Sequence, residues 1–217
     1  METGENLGGA GGFHYGLNYS VINGYKFSWI MDDDCLPSET ALEELLNADN
    51  KLAGEYGFLV SKALWTDGSI CTMNIPRRTI PKAVKDFTSP LVPVVMASFV
   101  SLFVPNEIIK ELGLPIAEFF IWTDDWEFTR RISRQYKCYL VNESVVTHST
   151  ASNIGASIDK DNINRIWRYD YLYRNDVYLY RREGLYGLIY EILRLPLHTI
   201  KVLLNAKGNR LKRLKII

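Results

Sequence analysis

Short apolar runs alternate with amphipathic segments along this chain, and that alternation is the feature that most constrains its fold. Residues 25–31 (YKFSWIM) have the composition of a buried strand. The segment that follows, over residues 37–49, begins with Pro37 and places apolar residues at helical spacing. The same order of strand and helix recurs up to Thr147, which predicts an α/β fold with a mixed sheet.

The pattern also predicts individual elements. Further strands are expected at 56–64, 69–75, 94–104 and 138–147. Further helices are expected at 13–21, Asn106–Leu112 and 125–136, and a proline-interrupted loop at 77–93. Thr40 and Glu43 have the spacing of a capping box at the start of the 37–49 helix.

Composition limits the classes of function. With 217 residues, 47% of them hydrophobic, the chain can bury one sizeable core. Lys+Arg and Asp+Glu number 25 each, so no basic excess favours nucleic acid as a partner. The three cysteines show no paired spacing, and the N-terminus lacks a basic region followed by an apolar one. We therefore expect a reducing, cytoplasmic compartment and no signal peptide.

Three carboxylates, Asp32, Asp33 and Asp34, directly follow the first strand-like run. If the extended conformation continues through them, Asp32 and Asp34 point to the same side. Clustered carboxylates raise each other's pKa unless a cation offsets the repulsion, and Mg²⁺ and Mn²⁺ prefer oxygen ligands. The triplet therefore favours a divalent metal site, and the alternative is a solvated acidic turn before a helix.

A second acidic pair, Asp124 and Asp125, lies between another apolar run and a predicted helix. A carboxylate at the edge of a cleft can act as a general base, and Asp125 is the first candidate, before Asp124 and Glu127. The alternative is that one aspartate caps the helix.

His148 follows the predicted strand 138–147 and can complete a metal site begun by Asp32 and Asp34. Its alternative role is that of a hydrogen-bonded loop histidine. The glycine run that contains Gly11 and Gly12 matches neither a dinucleotide-binding motif nor a P-loop. Small residues before a helix let backbone amides approach a phosphate or sugar, although a flexible turn explains them equally well.

Taken together, these segments resemble a known family. NLGGAGGFHYG, WIMDDDCLP, WTDDWEFTRR, THS and YLYRN occur in the order found in family 2 glycosyltransferases of GT-A fold. Within that family the chain most resembles the galactofuranosyltransferase and rhamnosyltransferase branch, over most of residues 6–176. The resemblance implies an inverting, metal-dependent transferase of bacterial cell-surface polysaccharide synthesis. Its donor would be a UDP- or dTDP-linked sugar, and its acceptor a hydroxyl of a glycan or lipid-linked glycan.

The resemblance also implies roles for individual residues. Asp32, Asp34 and His148 match the ligands of Mn²⁺ or Mg²⁺, and Asp125 matches the catalytic base, with Asp124 beside it. The substrate-binding residues that it implies are Asp32, Asp33, Gly11, Gly12, Trp122, Glu127, Arg174 and Asn175. Position 170 is Asp where relatives often have a second tyrosine, which departs from the pattern of the YLYRN segment.

The resemblance predicts two regions, a truncated GT-A catalytic domain over residues 1–160 and a helical, basic region over 161–217. The family's domain normally begins with a strand and a base-binding segment, which we do not find before the glycine run. Residues 185–204 are strongly apolar but are interrupted by charges and by Pro196, which predicts an interfacial helix. With the basic tail KGNRLKRLKII it predicts peripheral contact with the inner face of the cell membrane. The alternative is a basic helix packed on its own domain or on a second subunit, in a homo-oligomer.

Two other functions remain open from the sequence. A metal-dependent phosphoester hydrolase also uses clustered aspartates, and it would act without a sugar acceptor. A non-catalytic remnant that serves as a binding module would bind no nucleotide.

Overall fold

The computed structural model describes residues 4–217, and within them the chain forms eight strands and seven α-helices. The strands are β1 (Phe27–Ile30), β2 (Cys35–Pro37), β3 (Leu59–Leu64), β4 (Arg77–Thr79), β5 (Lys82–Ala83), β6 (Leu91–Val94), β7 (Leu102–Pro105) and β8 (Cys138–His148). The helices are α1 (Gly8–Ile22), α2 (Ala41–Lys51), α3 (Asn106–Leu112), α4 (Asp124–Ser133), α5 (Arg168–Arg181), α6 (Gly184–Asn205) and α7 (Arg210–Leu214).

Six strands form one mixed sheet in the order β1-β7-β3-β8-β2, and β6 also pairs with β8. The pair β3 and β8 is parallel, whereas the other pairs in this sheet are antiparallel. Strands β4 and β5 form a separate two-stranded sheet. The predicted α/β fold with a mixed sheet is therefore confirmed, as is helix α3 at its predicted bounds.

Four local predictions were wrong. The loop expected at 77–93 contains β4, β5 and most of β6, because β4 pairs with β5 and β6 pairs with β8. Residues 69–75 form no strand, because a turn closed by Trp65 N–H and the Ser69 carbonyl leads into a 3₁₀ helix at Thr72–Asn74. Residues 94–104 are not one strand, since a 3₁₀ helix at Phe99–Ser101 separates the end of β6 from β7. The Thr40 side chain makes no capping bond, because Thr40 already has helical backbone angles, whereas a capping residue is usually extended.

The described chain divides into two compact units. The sheet unit comprises Gly12–Ile116 and Asp125–Ile154, and the helical unit comprises the described part of Met1–Gly11 together with Ala117–Asp124 and Gly155–Ile217. The division into a catalytic domain over 1–160 and a helical region over 161–217 stays a prediction.

The core of the sheet unit follows the two-residue period of its strands. Leu59 and Phe103 pack on one face with Leu45 of α2, whereas Val60 and Leu102 pack on the other face. Alternate side chains of a strand point to opposite faces, so both faces of the sheet are covered by apolar contacts.

The core of the helical unit is formed by side chains from α5, α6 and the segment before them. Its buried members are Ile158, Ile166, Tyr169, Tyr173, Val202 and Ala206. Among residues 4–217, no helix has both the length and the apolar character that crossing a membrane requires.

A chain of buried hydrogen bonds crosses the sheet unit. Trp29 Nε1 donates to Ser101 Oγ (2.9 Å), and the Ser101 hydroxyl donates to Ser61 Oγ (2.8 Å). Ser61 Oγ lies 2.7 Å from Ser144 Oγ, which in turn donates to the Ala41 carbonyl. Each hydroxyl can therefore donate to the next group, and the series ties β1, β3, β8 and α2 together.

We expect Ser61→Ala to lower the free energy of unfolding by about 1–3 kcal/mol, because it leaves a buried donor on Ser101 without an acceptor. Urea denaturation of the full chain measures this value. The matched control is Ser152→Ala at an exposed position, for which we expect less than about 0.5 kcal/mol. Equal effects of the two substitutions would contradict the role of the serine chain.

Candidate functional site

The acidic triplet lies in a turn between β1 and β2. The backbone N–H of Cys35 donates to the Asp32 carbonyl at 3.1 Å, so the chain turns within the triplet. The extended conformation therefore does not continue through these residues. The physical reason is that β1 pairs with β7 whereas β2 pairs with β8, and the chain must change direction between them. Asp33 is exposed in this turn.

The pairing of β2 with β8 brings the carboxylates to His148. Cys35 lies opposite His148 in the strand register, which places Asp34 beside the imidazole. His148 Nε2 lies 3.0 Å from Asp34 Oδ1 and 3.8 Å from Asp32 Oδ2. One ligand atom from each of the three residues lies within 4.8 Å of the others, so the turn and the strand end form one cluster.

The electrostatics of the cluster match a site for a cation. Burial raises the pKa of Asp32; His148 opposes this shift, while repulsion from Asp34 and Asp33 adds to it. The side chains of Asp32 and Asp34 remain 39% and 44% exposed, whereas His148 is 6% exposed. Two carboxylates are thus open to solvent beside a buried imidazole, and a positive charge between them would relieve their repulsion.

Asn74 sets the orientation of the imidazole. Its Oδ1 lies 2.8 Å from His148 Nδ1, and its Nδ2 donates to Ser98 Oγ at 3.0 Å. In the tautomer in which Nδ1 donates to Asn74, the lone pair of Nε2 faces Asp32 and Asp34. An imidazole that donates from one nitrogen to an oxygen and offers the other is the usual arrangement of a metal-binding histidine.

Cys71 lies on the protein side of the same histidine. Its Sγ is 3.0 Å from Asn74 Oδ1 and 3.9 Å from His148 Nδ1, and burial raises the pKa of this thiol. A thiol that stays protonated donates to Asn74 and is a poor metal ligand. The cluster is therefore a set of two carboxylates and one imidazole, a donor set that fits Mn²⁺ or Mg²⁺.

Asp124 and Asp125 begin helix α4. Asp124 is buried, and Asp125 Oδ1 accepts a hydrogen bond from the Trp126 N–H at 2.7 Å. Negative charge is favourable at the N-terminus of a helix, so the local structure accommodates both carboxylates. The role of Asp125 as general base stays a prediction.

Glu127, one turn further along α4, is bound within the protein. Arg131 donates to both of its carboxylate oxygens, at 3.0–3.3 Å, and also donates to the Leu114 carbonyl at 2.9 Å. Glu127 is buried and Arg131 is partly buried, and the pair ties α4 to the segment after α3. Contact of Glu127 with a substrate stays a prediction.

The segment before α4 has an unusual backbone. Phe120, Trp122 and Thr123 have φ angles of 62°, 66° and 67°, a region that residues other than glycine rarely adopt. Such angles cost about 1–3 kcal/mol each and persist where the surroundings enforce them. We call residues 119–123 the strained loop.

The predicted substrate-binding residues Arg174 and Asn175 hold the strained loop. Asn175 is fully buried, and its Nδ2 lies 2.9–3.3 Å from the carbonyls of Phe119, Ile121 and Trp122. Its Oδ1 accepts from Arg174 Nε at 3.0 Å. The side-chain amide of Asn175 thus donates to carbonyls of the strained loop. Substrate contact by Arg174 and Asn175 stays a prediction.

Asp176 secures the end of the strained loop. It accepts a hydrogen bond from Thr123 Oγ1 at 2.6 Å and pairs with Arg194 of α6 at 2.5 Å. Burial raises the pKa of Asp176, while Arg194 and Thr123 lower it. Arg194 also binds Glu191, and although burial alone would lower the pKa of Arg194, the two carboxylates raise it.

The glycine run lies inside α1, so the expectation that it precedes the helix was wrong. Gly8, at the first position, has φ of 68°, and a Cβ there would lie 2.1 Å from the Phe120 carbonyl oxygen. Gly11 is buried and Gly12 is exposed on this helix. The run is helical because its first turn packs closely on the strained loop, where Ala10 N–H donates to the same carbonyl. Binding of phosphate or sugar by Gly11 and Gly12 stays a prediction.

Trp122 packs edge to face on Tyr169, with ring centroids 5.0 Å apart. This contact belongs to the helical unit. Contact of Trp122 with a substrate stays a prediction.

Three residues of these networks were missed from the sequence. Asn74 lies in a stretch without any motif, so no local signal marks it. Asp176 directly follows the YLYRN segment, and this adjacency to a motif was the signal that could have marked it as a candidate. Arg194 is one of the charges that interrupt the apolar stretch 185–204, and the available signal was that a charge inside such a stretch indicates a buried partner.

No protein-family model matches the sequence, and no curated protein matches it. Among solved structures, the chain is similar to the crystal structure of GalNAc-T7 with UDP, GalNAc and Mn²⁺, at 14% identity and a TM-score of 0.53. That match covers 69% of this chain and 32% of the GalNAc-T7 chain. This chain thus spans about a third of the length of that structure.

Two further structures are more distant. A197 from STIV has 12% identity and a TM-score of 0.47, with 64% of this chain and 66% of that chain covered. S. aureus TarS 1-349 has 13% identity and a TM-score of 0.47, with 100% and 50% covered. At these identities the likeness concerns the fold alone, and our assignment of the fold rests on the similarity to GalNAc-T7. The GT-A type of fold is confirmed, whereas the galactofuranosyltransferase and rhamnosyltransferase branch stays a prediction.

We expect Asn74→Ala to weaken binding of Mn²⁺ by the full chain about tenfold or more, because the imidazole loses the partner that orients it. Calorimetric titration with Mn²⁺ alone measures the affinity. Asn23→Ala, at an exposed position, is the matched control and should leave the affinity unchanged. Equal affinities of the Asn74 variant and wild type would show that Asn74 does not orient a metal ligand.

We expect Arg194→Leu to destabilise the protein by about 3–5 kcal/mol, because Asp176 and Glu191 would lose the cation they share in a buried site. The double variant with Asp176→Asn should recover part of this loss, since one of the unpaired charges is then removed. Thermal unfolding of both single variants and of the double variant makes the comparison. Full additivity of the two substitutions would count against this pairing.

Proposed function

We propose that this protein is a metal-dependent glycosyltransferase that moves a sugar from a nucleoside-diphosphate donor to a hydroxyl group. The observation that carries the proposal is the cluster of Asp32, Asp34 and His148 in a fold of GT-A type. Support also comes from GalNAc-T7, a structure of similar fold that was determined with UDP, GalNAc and Mn²⁺.

The proposed reaction is a single displacement. Asp32, Asp34 and His148 would hold a divalent cation, Mn²⁺ or Mg²⁺, which would offset negative charge on the departing nucleoside diphosphate. Asp125 would accept the proton of the acceptor hydroxyl as its oxygen attacks the anomeric carbon. The bond from that carbon to the diphosphate oxygen breaks, and attack from the opposite face inverts the configuration.

The finer features of the proposal come from the family resemblance. They are a hexosyl transfer of the family 2 type, a UDP- or dTDP-linked donor, and a glycan or lipid-linked acceptor in cell-surface polysaccharide synthesis. Asp125 and the metal-binding cluster belong to the same sheet unit, which is consistent with a shared site. The proposed location is the cytoplasm, at the inner face of the membrane.

A phosphoester hydrolase is the second candidate, because the same two carboxylates and imidazole are a donor set that hydrolytic metal sites also use. The two functions differ in what they require. The transferase needs a nucleoside-diphosphate sugar and an acceptor, whereas the hydrolase would release phosphate from a simple phosphoester without an acceptor.

We expect UDP or dTDP to bind the full chain in the presence of Mn²⁺, and we expect Asp34→Asn to weaken that binding at least about tenfold through loss of a charged ligand. Calorimetric titration with and without Mn²⁺ measures both effects. Glu55→Gln removes an exposed carboxylate elsewhere in the sheet unit and should leave binding unchanged. Absence of binding by both nucleotides would overturn the proposal and favour a non-catalytic module.

A further variant, Asp125→Asn, distinguishes the role of a general base from that of a metal ligand. We expect Asp125→Asn to keep nucleotide binding within about twofold but to lower transfer about 10²–10⁴-fold, the usual contribution of a general base. Donor turnover in the presence of candidate acceptors measures transfer. Phosphate release from p-nitrophenyl phosphate without any acceptor would instead support the hydrolase.

A further inference from the structure

Helix α6 exposes a continuous apolar face. Its solvent-facing side chains of 48–74% exposure are Leu185, Tyr186, Leu188, Ile189, Ile192, Leu193, Leu197, Ile200, Leu203 and Leu204. They recur at spacings of three and four along the helix, so they form one broad stripe rather than scattered positions. A contiguous apolar surface of this kind marks an interaction site on a folded protein.

Three polar side chains of the same helix, those of Glu191, Arg194 and His198, face the protein. Arg194 pairs with Asp176 of α5, and Glu191, which binds Arg194, is 5% exposed. His198 Nδ1 lies 2.8 Å from the hydroxyl of Tyr173, also on α5. Helix α6 is therefore turned the opposite way from a surface helix of a globular protein, which keeps its polar side in water.

Charge adjoining this face is positive. Residues 184–217 contain seven Lys and Arg but a single acidic residue, Glu191, which is buried against Arg194. The exposed basic residues of this segment are Lys201, Lys207, Arg210, Lys212 and Lys215. The net charge that α6 and the tail present to solvent is thus positive throughout.

The basic tail is fixed to the helical unit rather than loose. Arg213 is buried, and its guanidinium donates to the Gly208 carbonyl (3.1 Å), to the Asp161 carbonyl (2.9 Å) and to the Ile158 carbonyl. This anchor holds α7, with Arg210 and Lys212, beside the end of α6. The exposed basic residues of α7 are therefore held at the end of α6, and we call the apolar face together with these basic residues the α6 surface.

We propose that the α6 surface docks on an anionic lipid bilayer, with α6 lying in the plane of the interface. An amphipathic helix with an apolar face flanked by Lys and Arg buries that face at the level of the headgroups and attracts anionic lipids. A second copy of this chain would fit the face less well, because it would bring the same positive charges together. The proposal names the surface that would hold the protein at the proposed location, the inner face of the membrane, and it does not depend on the transferase activity.

The test is co-sedimentation of the full chain with vesicles of phosphatidylcholine, and of phosphatidylcholine mixed with phosphatidylglycerol. We expect binding to the mixed vesicles that weakens with salt, and weaker binding to phosphatidylcholine alone. Ile192→Gln with Leu203→Gln, both exposed and on one side of α6, should weaken binding at least about tenfold. The matched control is Ile22→Gln with Ile154→Gln, two apolar positions outside α6 that are at least as exposed as the test positions, and it should bind as wild type.

Charge is tested separately. Lys207→Gln with Lys212→Gln should weaken binding to the mixed vesicles by about fivefold for each charge removed, with no change on phosphatidylcholine. Circular dichroism of each variant verifies that the helices are intact. If the protein binds neither type of vesicle, the proposal is overturned. Self-association that the Ile192 and Leu203 substitutions abolish, without vesicle binding, would overturn it in favour of a second copy.

Discussion

Strand β8 pairs with β3, β6 and β2, and the candidate site depends on where this strand ends. Its parallel partner β3 fixes it inside the sheet, and its antiparallel pairing with β2 places Cys35 opposite His148. A shift of one residue in that register would move the imidazole to the other face of the sheet, away from Asp34. The cluster of two carboxylates and an imidazole is therefore a consequence of strand pairing, and Asn74 then selects the orientation of the ring.

Networks of buried polar groups hold each of the two units together. In the sheet unit the serine series links strands and helix, and in the helical unit Asn175 and Asp176 bind the strained loop. Such groups are costly when they are left unpaired and favour one arrangement when they are paired. The strained loop persists because Asn175 bonds to its carbonyls and Asp176 bonds to Thr123, and α4 begins directly after it.

The two sides of helix α6 have different roles. Its inward polar side supplies Arg194 to Asp176, whereas its outward side is apolar and leads into a basic tail. An apolar stretch that carries a few charges is ambiguous as a sequence, since it fits a core helix, a docking helix or a contact between subunits. The ambiguity ends once the buried partners of those charges are known.

The sequence by itself determined the α/β class, the Asn106–Leu112 helix and the acidic residues at the end of the first strand, because these depend on local periodicity and composition. Only the tertiary structure decided the turn at Asp32, the contact of Asp34 with His148 and the partner of that histidine. The two contacts of His148 join residues that are 74 and 114 positions apart, and local pattern carries no information on such pairs. The direction in which α6 faces was likewise decided by packing, since the pairing of Arg194 with Asp176 places its charged side inside.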